Sequence, residues 1–145
     1  MSTHRILENL IYRYADLVDR GDFAGLGELL ADATFFGGGG ELKGCKAIED
    51  MFRALVIVYD DGTPKTKHIT TNVILEVDED AGTARSQSYV TVLQAVDGLS
   101  LQPVVAGRYE DRFLRRNAQW RFAERRFTLD LVGDVGRHLR RPVAR

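Results

Sequence analysis

The sequence has very few of the residues that characterise disulfide-bonded or membrane proteins. Cys45 is the only cysteine among the 145 residues, so an internal disulfide cannot form, and we expect this residue to fill a small apolar core position. Uncharged apolar runs are short, since none reaches the roughly 18 residues of a transmembrane helix. The N-terminal segment has no apolar stretch typical of a secretion signal. These absences predict a cytoplasmic protein that has no membrane partner.

Sets of residues that hold metals or phosphates are also missing. The three histidines, His4, His68 and His138, are far apart, and no His-x-x-x-His or cysteine pair supplies zinc ligands. The run from Gly37 to Gly40 is not followed by the Gly-Lys-Ser/Thr of a phosphate-binding loop. We therefore expect neither a metal nor a cofactor, and we interpret the glycine run as a flexible loop.

Charge is nearly balanced, with a formal net charge of −1, but it is unevenly distributed. Residues 106–145 carry 11 basic and 5 acidic side chains, so the acidic excess lies in the first part of the chain. The C-terminal stretch RHLRRPVAR contains no aromatic residue that could stack on a base, so we expect no nucleic-acid partner. From about residue 134 we predict a solvated, partly frayed basic tail. His4 and His138 lie near the termini, where mobile and solvated side chains are expected.

Helical spacing dominates the first part of the chain. Apolar residues recur at steps of three and four over the first 18 residues, which predicts a helix with Tyr14 near the centre of its buried face. Gly21 is the predicted stop of this helix, and Asp22 is the predicted N-cap of a short second helix. The stretch ATFF suggests a short strand and GGGGELKG a loop. A third helix is predicted from about Lys46.

From Thr66 onwards the spacing changes to the two-residue period of β-strands. Four strand-like runs are separated by the short turns DAG, DG and NA, so each run should join its successor in an antiparallel meander. Helices that precede a group of strands are typical of an α+β fold in which the helices cover one face of a curved sheet. We predict a single domain over residues 1–145.

The first of these strands is apolar on both of its faces. Ile69 lies on one face and Ile74 on the other, whereas a sheet with one solvated face would show a cleaner alternation. We therefore predict that the face away from the helices is partly buried in a homo-oligomer, either a dimer or a trimer. Burial by another part of the same chain is the alternative.

Three polar residues are candidates for chemistry. The hydroxyl of a buried tyrosine usually has a partner, which for Tyr14 is either a backbone carbonyl or a ligand. Asp19 lies at the C-terminal end of the first helix, where the helix dipole disfavours a carboxylate unless a hydrogen-donating neighbour relieves it; a solvated turn aspartate is the other interpretation. His68 begins a strand on its more polar face, so it is either a structural histidine or a pocket residue that transfers protons.

Four stretches, in this order, resemble the SnoaL-like proteins of the nuclear-transport-factor-2-like superfamily. They are RYADLVDRGDFAGLGELLADATF, GCKAIEDMF, HITTNVILEVDEDAGTARSQSYVTV and AGRYEDRFLRRNAQWRFAERRFTLD. The resemblance covers nearly the whole chain. It implies a cone-shaped fold, in which a strongly curved antiparallel sheet wraps around three N-terminal helices and a pocket opens between them.

Within that superfamily the chain is most similar to the branch that includes scytalone dehydratase and bile-acid 7α-dehydratase. In those enzymes a tyrosine on the first helix, an aspartate five residues later and a histidine at the start of the long strand face one cavity. Tyr14, Asp19 and His68 occupy the matching positions here. Ketosteroid isomerase has its general base after the first strand, where this chain has Phe36 and Gly37, so that reaction is disfavoured.

The match to scytalone dehydratase is incomplete. That enzyme uses a second histidine on the strand that follows the histidine strand, where this chain has Ser88, Tyr89 and Val90. Its particular way of activating water is therefore not expected here. The simpler trio of the bile-acid enzyme is the closer analogue.

The resemblance implies a cofactor-independent dehydratase that acts on a hydroxylated cyclic, aromatic or polyketide-like carbonyl compound. His68 would remove a proton, Asp19 would fix the tautomer of His68, and Tyr14 would donate a hydrogen bond to the developing enolate. Predicted contacts to this hydrophobic small-molecule substrate are Asn72, Tyr89, Tyr109 and Trp120, although sheet packing explains most of the aromatic ones equally well. The relatives leave other functions open: a non-catalytic small-molecule-binding protein, a dioxygenase small-subunit-like protein, an isomerase and a polyketide cyclase.

Overall fold

The computed structural model describes residues 1–37 and 39–141, which form three helices and one six-stranded sheet. The helices are α1 (Thr3–Asp19), α2 (Phe23–Leu29) and α3 (Cys45–Leu55). None of the helices in these ranges is long and apolar enough to cross a membrane. The three predicted helices are confirmed, and α3 begins one residue before its predicted start. Cys45, at that start, is only half-buried and not a full core residue.

Local signals explain where α1 and α2 begin and end. The Ser2 hydroxyl oxygen accepts a hydrogen bond from the Arg5 backbone N–H at 3.2 Å and so caps α1. Gly21 follows α1 with a φ of 72°, and a Cβ there would lie 2.1 Å from the backbone oxygen of Gly62. One carboxylate oxygen of Asp22 accepts a hydrogen bond from the N–H at position 25, at 2.8 Å. The predicted stop and cap are confirmed.

The six strands form one sheet in the order β2-β1-β6-β5-β4-β3. Their bounds are Thr34–Phe36 for β1, Glu41–Lys43 for β2, Thr66–Asp78 for β3, Thr83–Val96 for β4, Leu99–Arg116 for β5 and Gln119–Val132 for β6. Strands β3 to β6 are the predicted antiparallel meander. With the three helices they give the α+β, cone-shaped architecture that the resemblance implies.

Two details of the sheet differ from the sequence prediction. The stretch interpreted as a loop contains β2, which pairs antiparallel with β1 through Phe35 and Leu42. Strand β1 runs parallel to β6, with Phe35 opposite Arg125, so the sheet is mixed and not purely antiparallel. The three residues of β2 contain one apolar side chain between two charged ones and are flanked by glycines, a composition that indicates a loop and explains why the pattern did not reveal β2.

The hydrophobic core lies between the helices and the inward face of the sheet. Because α1 and α3 are amphipathic, each turns one apolar face towards the sheet. The buried core residues include Leu7, Ile11 and Tyr14 of α1, Ile48 and Phe52 of α3, and Val90, Val92, Tyr109, Phe113 and Phe122 of the sheet. Tyr14 is therefore buried, as its central position on the helix face predicts.

A β-bulge in β3 explains why this strand is apolar on both faces. The pairing register with β4 shifts between Thr71 and Ile74, and Asn72 has a φ of 54°. The shift changes which residues face inward: His68 does so before the bulge and Val73 after it. Ile69, 41% exposed, and Ile74, 61% exposed, therefore both lie on the outer face and not on opposite faces as strict alternation predicted. Burial within the described part of the chain does not account for Ile74, and the homo-oligomer stays a prediction.

The segment 134–141 folds back onto the core. Leu139 forms an isolated β-bridge with Val56, just after α3, and Val135 packs against the core cluster. His138 is only 5% exposed. Residues 134–141 are therefore not frayed, because Val135, His138 and Leu139 dock onto the domain, whereas Asp134, Gly136, Arg140 and Arg141 are exposed. The rest of the predicted tail, residues 142–145, lies outside the described residues.

Candidate active site

A cavity of about 490 Å³ opens between the helices and the inward face of the sheet. This volume lies in the range of about 300–1,000 Å³ that is usual for small-molecule sites. Most of its walls are apolar, and the aromatic ones are Phe35, Phe52 and Phe127. The ionisable side chains that line it are Tyr14, His68, Tyr109, His138 and Arg141. The cavity therefore suits a largely hydrophobic ligand that has a few polar groups.

Asp19 and His68 form a hydrogen-bonded pair at the edge of this cavity. A carboxylate oxygen of Asp19 lies 2.6 Å from His68 Nδ1, and the other accepts the His68 backbone N–H at 2.7 Å. The Thr66 hydroxyl donates a third hydrogen bond to Asp19, at 2.8 Å. With Nδ1 held by the carboxylate, the second ring nitrogen, Nε2, is the one left for the cavity.

The position of Asp19 at the end of α1 explains this geometry. β3 packs beside α1, so the last residue of the helix meets the first residues of the strand. Burial raises the pKa of the Asp19 carboxyl, but the hydrogen bonds and charge of His68 outweigh burial and lower that pKa below its ordinary value. Asp19 is therefore an ionised partner that can hold the imidazole in one tautomer.

Tyr14 and Tyr109 form the second polar feature of the cavity wall. Their rings meet edge to face, with centroids 5.6 Å apart, and both side chains are buried. Burial is the main cause that raises the pKa of Tyr14 well above its ordinary value, and the phenol of Tyr109 raises it further. Burial also raises the pKa of Tyr109. Both phenols therefore keep their protons and can donate hydrogen bonds.

A buried ion pair lies behind these two tyrosines. Arg125 Nε donates to Asp111 at 2.8 Å and an Nη donates to the other carboxylate oxygen at 3.2 Å, and both side chains are wholly buried. The guanidinium carbon lies 3.6 Å from the ring centroid of Tyr109 and 4.2 Å from that of Tyr14. Burial is the largest single influence and lowers the pKa of Arg125, but Asp111, Tyr109 and Tyr14 together outweigh burial and raise that pKa. A positive charge therefore stacks on both phenol rings.

Sequence reasoning missed this ion pair, although one signal was available. Tyr109, Asp111 and Phe113 are successive inward-facing residues of β5, and a carboxylate between two buried aromatic residues is unusual. Arg125 gave no comparable signal, because the register between β5 and β6 shifts near Phe113 and breaks the simple alternation.

The structure brings together some of the predicted site residues and separates others. Tyr14, His68 and Tyr109 line the cavity, and Asp19 contacts His68 from behind. The described members of the glycine run, residues 37, 39 and 40, also line it, whereas residue 38 lies outside the described part. No group of three or more metal-ligating side chains occurs among the described residues.

Three of the four predicted substrate-binding residues lie away from the cavity. Asn72 is exposed at the β3 bulge, and Tyr89 is 53% exposed beside it, where both line a separate small recess. Tyr89 faces outward because it alternates with the inward-facing Ser88 on β4. Trp120 is buried near the β5–β6 turn, where Arg115 stacks on its ring at 5.3 Å. We therefore do not retain these three residues as substrate contacts.

His138 corrects a further expectation from the sequence. It was expected to be solvated, yet it is buried and lines the cavity, with its ring centroid 6.2 Å from that of His68. Burial, and then the charge of His68, lowers the pKa of His138 to about 4. The position of His138 at the cavity was not predictable, because sequence spacing does not show that a segment near the C-terminus docks on the domain. His4 is exposed, as expected.

The described residues have the cone-shaped, cystatin-like fold of an NTF2-like protein of known structure. Residues 2–126 match the SnoaL-like domain family, and the chain belongs to that family. A search of curated proteins finds no match.

Solved structures share this fold at low sequence identity. An NTF2-like protein from Novosphingobium aromaticivorans is 23% identical with a TM-score of 0.72, over 92% of this chain and 86% of that one. A candidate scytalone dehydratase from the same organism is 17% identical with a TM-score of 0.69, over 90% and 86%. The hexachlorocyclohexane dehydrochlorinase LinA-type3 from Novosphingobium barchaimii is 20% identical with a TM-score of 0.71, over 90% and 88%.

Proposed function

We propose that this protein is a cofactor-independent dehydratase, which removes water from a hydroxylated cyclic, aromatic or polyketide-like carbonyl compound. The observation that carries the proposal is the Asp19–His68 pair at a cavity that Tyr14 also lines. A carboxylate that holds one imidazole nitrogen and leaves the other for a ligand is a common arrangement for a general base. The names of two structural neighbours, a candidate scytalone dehydratase and a dehydrochlorinase, both describe eliminations and favour this reaction class.

The reaction begins with proton removal in this proposal. His68 Nε2 takes a proton from the carbon next to the substrate carbonyl, and Asp19 stabilises the imidazolium that forms. The electron pair of the broken C–H bond moves into an enolate, whose oxygen accepts a hydrogen bond from the Tyr14 hydroxyl. The high pKa of Tyr14 keeps this donor protonated.

The leaving group departs in the second step. The enolate electrons form the new C=C bond as the C–O bond to the β-hydroxyl breaks, and the His68 imidazolium delivers its proton to that oxygen. The products are an unsaturated carbonyl compound and one water molecule, and His68 returns to its neutral form. One imidazole therefore serves as base and then as acid, so no redox cofactor enters the balance.

The surroundings of the pair support a hydrophobic substrate. Val90, Val92, Phe127 and Leu129 line the cavity and offer flat apolar surface for a ring system. The Arg125 guanidinium stacked on Tyr14 favours negative charge on the phenol oxygen and so opposes burial, although burial still raises the pKa of Tyr14 overall. A dioxygenase small-subunit-like or purely binding protein would not need this combination.

The test is loss of water from a fused-ring β-hydroxy ketone whose dehydrated product is a naphthol, followed by absorbance. We expect turnover by the unchanged protein and a rate lower by about 10²- to 10⁴-fold for His68→Ala. His4→Ala, at an exposed histidine, is the matched control and should keep the full rate. Full turnover by His68→Ala would remove the proposed mechanism, and no turnover by the unchanged protein with a panel of such ketones would remove the dehydratase proposal.

A further inference from the structure

Hydrogen bonds to the main chain at His138 and at neighbouring residues hold this residue in place. Its carbonyl oxygen accepts the Ile57 N–H at 2.8 Å, and the next-but-one residue, Arg140, donates its N–H to the Leu55 oxygen at 2.9 Å. The Gln94 amide donates to the Arg137 oxygen at 2.9 Å. These bonds fix the segment against the end of α3 and against β4. His138 therefore has a defined position at the cavity and does not belong to a frayed end.

The imidazole of His138 lacks a partner in the described part of the chain. The residue is only 5% exposed, and its Nδ1 is enclosed but makes no hydrogen bond to the described residues. The ring lines the same cavity as His68, and the two ring centroids are 6.2 Å apart. Buried polar groups in folded proteins nearly always have a partner, and neither ring nitrogen of His138 has one among the described residues. Because Nδ1 is enclosed, Nε2 is the nitrogen that a ligand in the cavity, or its water, can reach.

The space between the two imidazoles fits a single polar group of a ligand. The 6.2 Å separates the ring centroids, so facing ring nitrogens are closer than this and lie within the span of about 6 Å that two hydrogen bonds through one shared oxygen can bridge. His68 is engaged by Asp19 through Nδ1, whereas no carboxylate holds His138 in the described structure. The two rings therefore differ in chemistry: the first can gain a proton beside its counter-charge, and the second is suited to remain neutral and share a hydrogen bond.

We infer that His138 is a second catalytic imidazole, which donates a hydrogen bond to the β-hydroxyl of the substrate and holds this oxygen beside His68. The inference rests on the proposed dehydration. His138 binds the hydroxyl oxygen from the start, and the proton that leaves with it comes from the His68 imidazolium. His138 keeps its own proton throughout, so the balance of the two steps is unchanged. The hydrogen bond from His138 would also make the site prefer substrates that carry a hydroxyl at the β-position.

The decisive experiment compares two ligands in a background in which the proposed reaction is about 10²- to 10⁴-fold slower. In His68→Ala protein, calorimetry measures the Kd of the fused-ring β-hydroxy ketone and of the same ketone without the hydroxyl. Adding His138→Phe, which keeps an aromatic ring, should weaken binding of the hydroxy ketone by about 2- to 10-fold and leave the other ketone unchanged. His138→Gln, which keeps a donor, should retain part of the preference, and His4→Phe is the matched control.

The other outcomes overturn the inference. An equal loss for both ketones means that His138 only shapes the wall, and no loss means that it does not contact the hydroxyl. Failure of both ketones to bind also removes it. If His138→Phe does not fold, ¹⁵N NMR of the histidine rings decides in the His68→Ala protein: the His138 signals should move with the hydroxy ketone and not with the ketone that lacks the hydroxyl.

Kinetics separates this inference from the proposed function. If the unchanged protein dehydrates the hydroxy ketone and His138→Phe keeps its full kcat and its KM, the dehydratase proposal stands and the role of His138 falls. If the unchanged protein does not dehydrate the ketone, the proposed function falls. The ligand pair then still measures whether His138 recognises the hydroxyl.

Discussion

Arg125 and Asp111 form an ion pair that is wholly buried, with Arg125 Nε 2.8 Å from a carboxylate oxygen. The pair lies beneath Tyr14 and Tyr109, so it supports the wall of the cavity that carries the two phenols. Taking two charges out of water is unfavourable, and the pair is tolerated because each charge compensates the other. Removing one partner is therefore worse than removing both.

We predict that Arg125→Met lowers the free energy of unfolding by about 3–5 kcal/mol, because it leaves Asp111 buried without a counter-charge. Urea denaturation followed by circular dichroism measures the change. Arg125→Met combined with Asp111→Leu should recover much of the loss. Arg85→Met, which breaks an exposed pair with Glu76, is the control and should change stability far less. A single Arg125→Met variant as stable as the control would contradict the prediction.

Tyr14 should contribute to the rate more than to binding. Tyr14→Phe keeps the ring but removes the hydroxyl that is proposed to donate to the enolate, so we expect kcat to fall by about 10²- to 10³-fold, as for other oxyanion donors. The KM should change little, because the hydrogen bond strengthens mainly in the transition state. Steady-state kinetics with the fused-ring hydroxy ketone gives both values. Tyr12→Phe, at an exposed tyrosine of the same helix, is the matched control.

His138 should make stability depend on pH in the acid range. Its pKa is about 4 in the folded protein and about 6.5 in the unfolded chain, so only the unfolded chain binds the proton between these values. The stabilisation is complete above pH 6.5 and is lost as the pH falls towards 4, by about 3 kcal/mol in total. Urea denaturation at a series of pH values measures it, and His138→Phe should flatten this part of the curve. An unchanged curve would contradict the lowered pKa.

The outer face of the sheet should mediate self-association. Ile69, Ile74 and Tyr89 are large apolar residues with substantial exposure there, and such a patch commonly marks an interface. We predict a dimer or trimer by light scattering at micromolar protein. Ile74→Glu should shift the protein towards monomer, whereas Glu76→Gln, on the same face, should not. A monomer for the unchanged protein at that concentration rules out the prediction.

The helices and the meander were predictable because their signals are local. The apolar face of α1, the Gly21 stop and the turns between the long strands each depend on residues a few positions apart, and the structure confirms them. Strand β2 was not predicted because its charged residues and flanking glycines indicate a loop. Of the predicted substrate contacts on the strands, Asn72 misses the cavity because it lies at the β3 bulge, Tyr89 because it faces outward on β4, and Trp120 because it lies near the β5–β6 turn.

The sequence by itself determined the architecture and the residue types available for chemistry, since propensity and hydrophobic period act within a helix or a strand. Only the tertiary structure decided which polar groups meet. Asp19 reaches His68 because the end of α1 packs against β3, Arg125 meets Asp111 across two paired strands, and His138 enters the cavity because the last segment docks on α3. These contacts join residues that are far apart in the chain. They are stable because charge pairing and hydrogen bonds offset the cost of burying polar groups, and that burial exists only in the folded core.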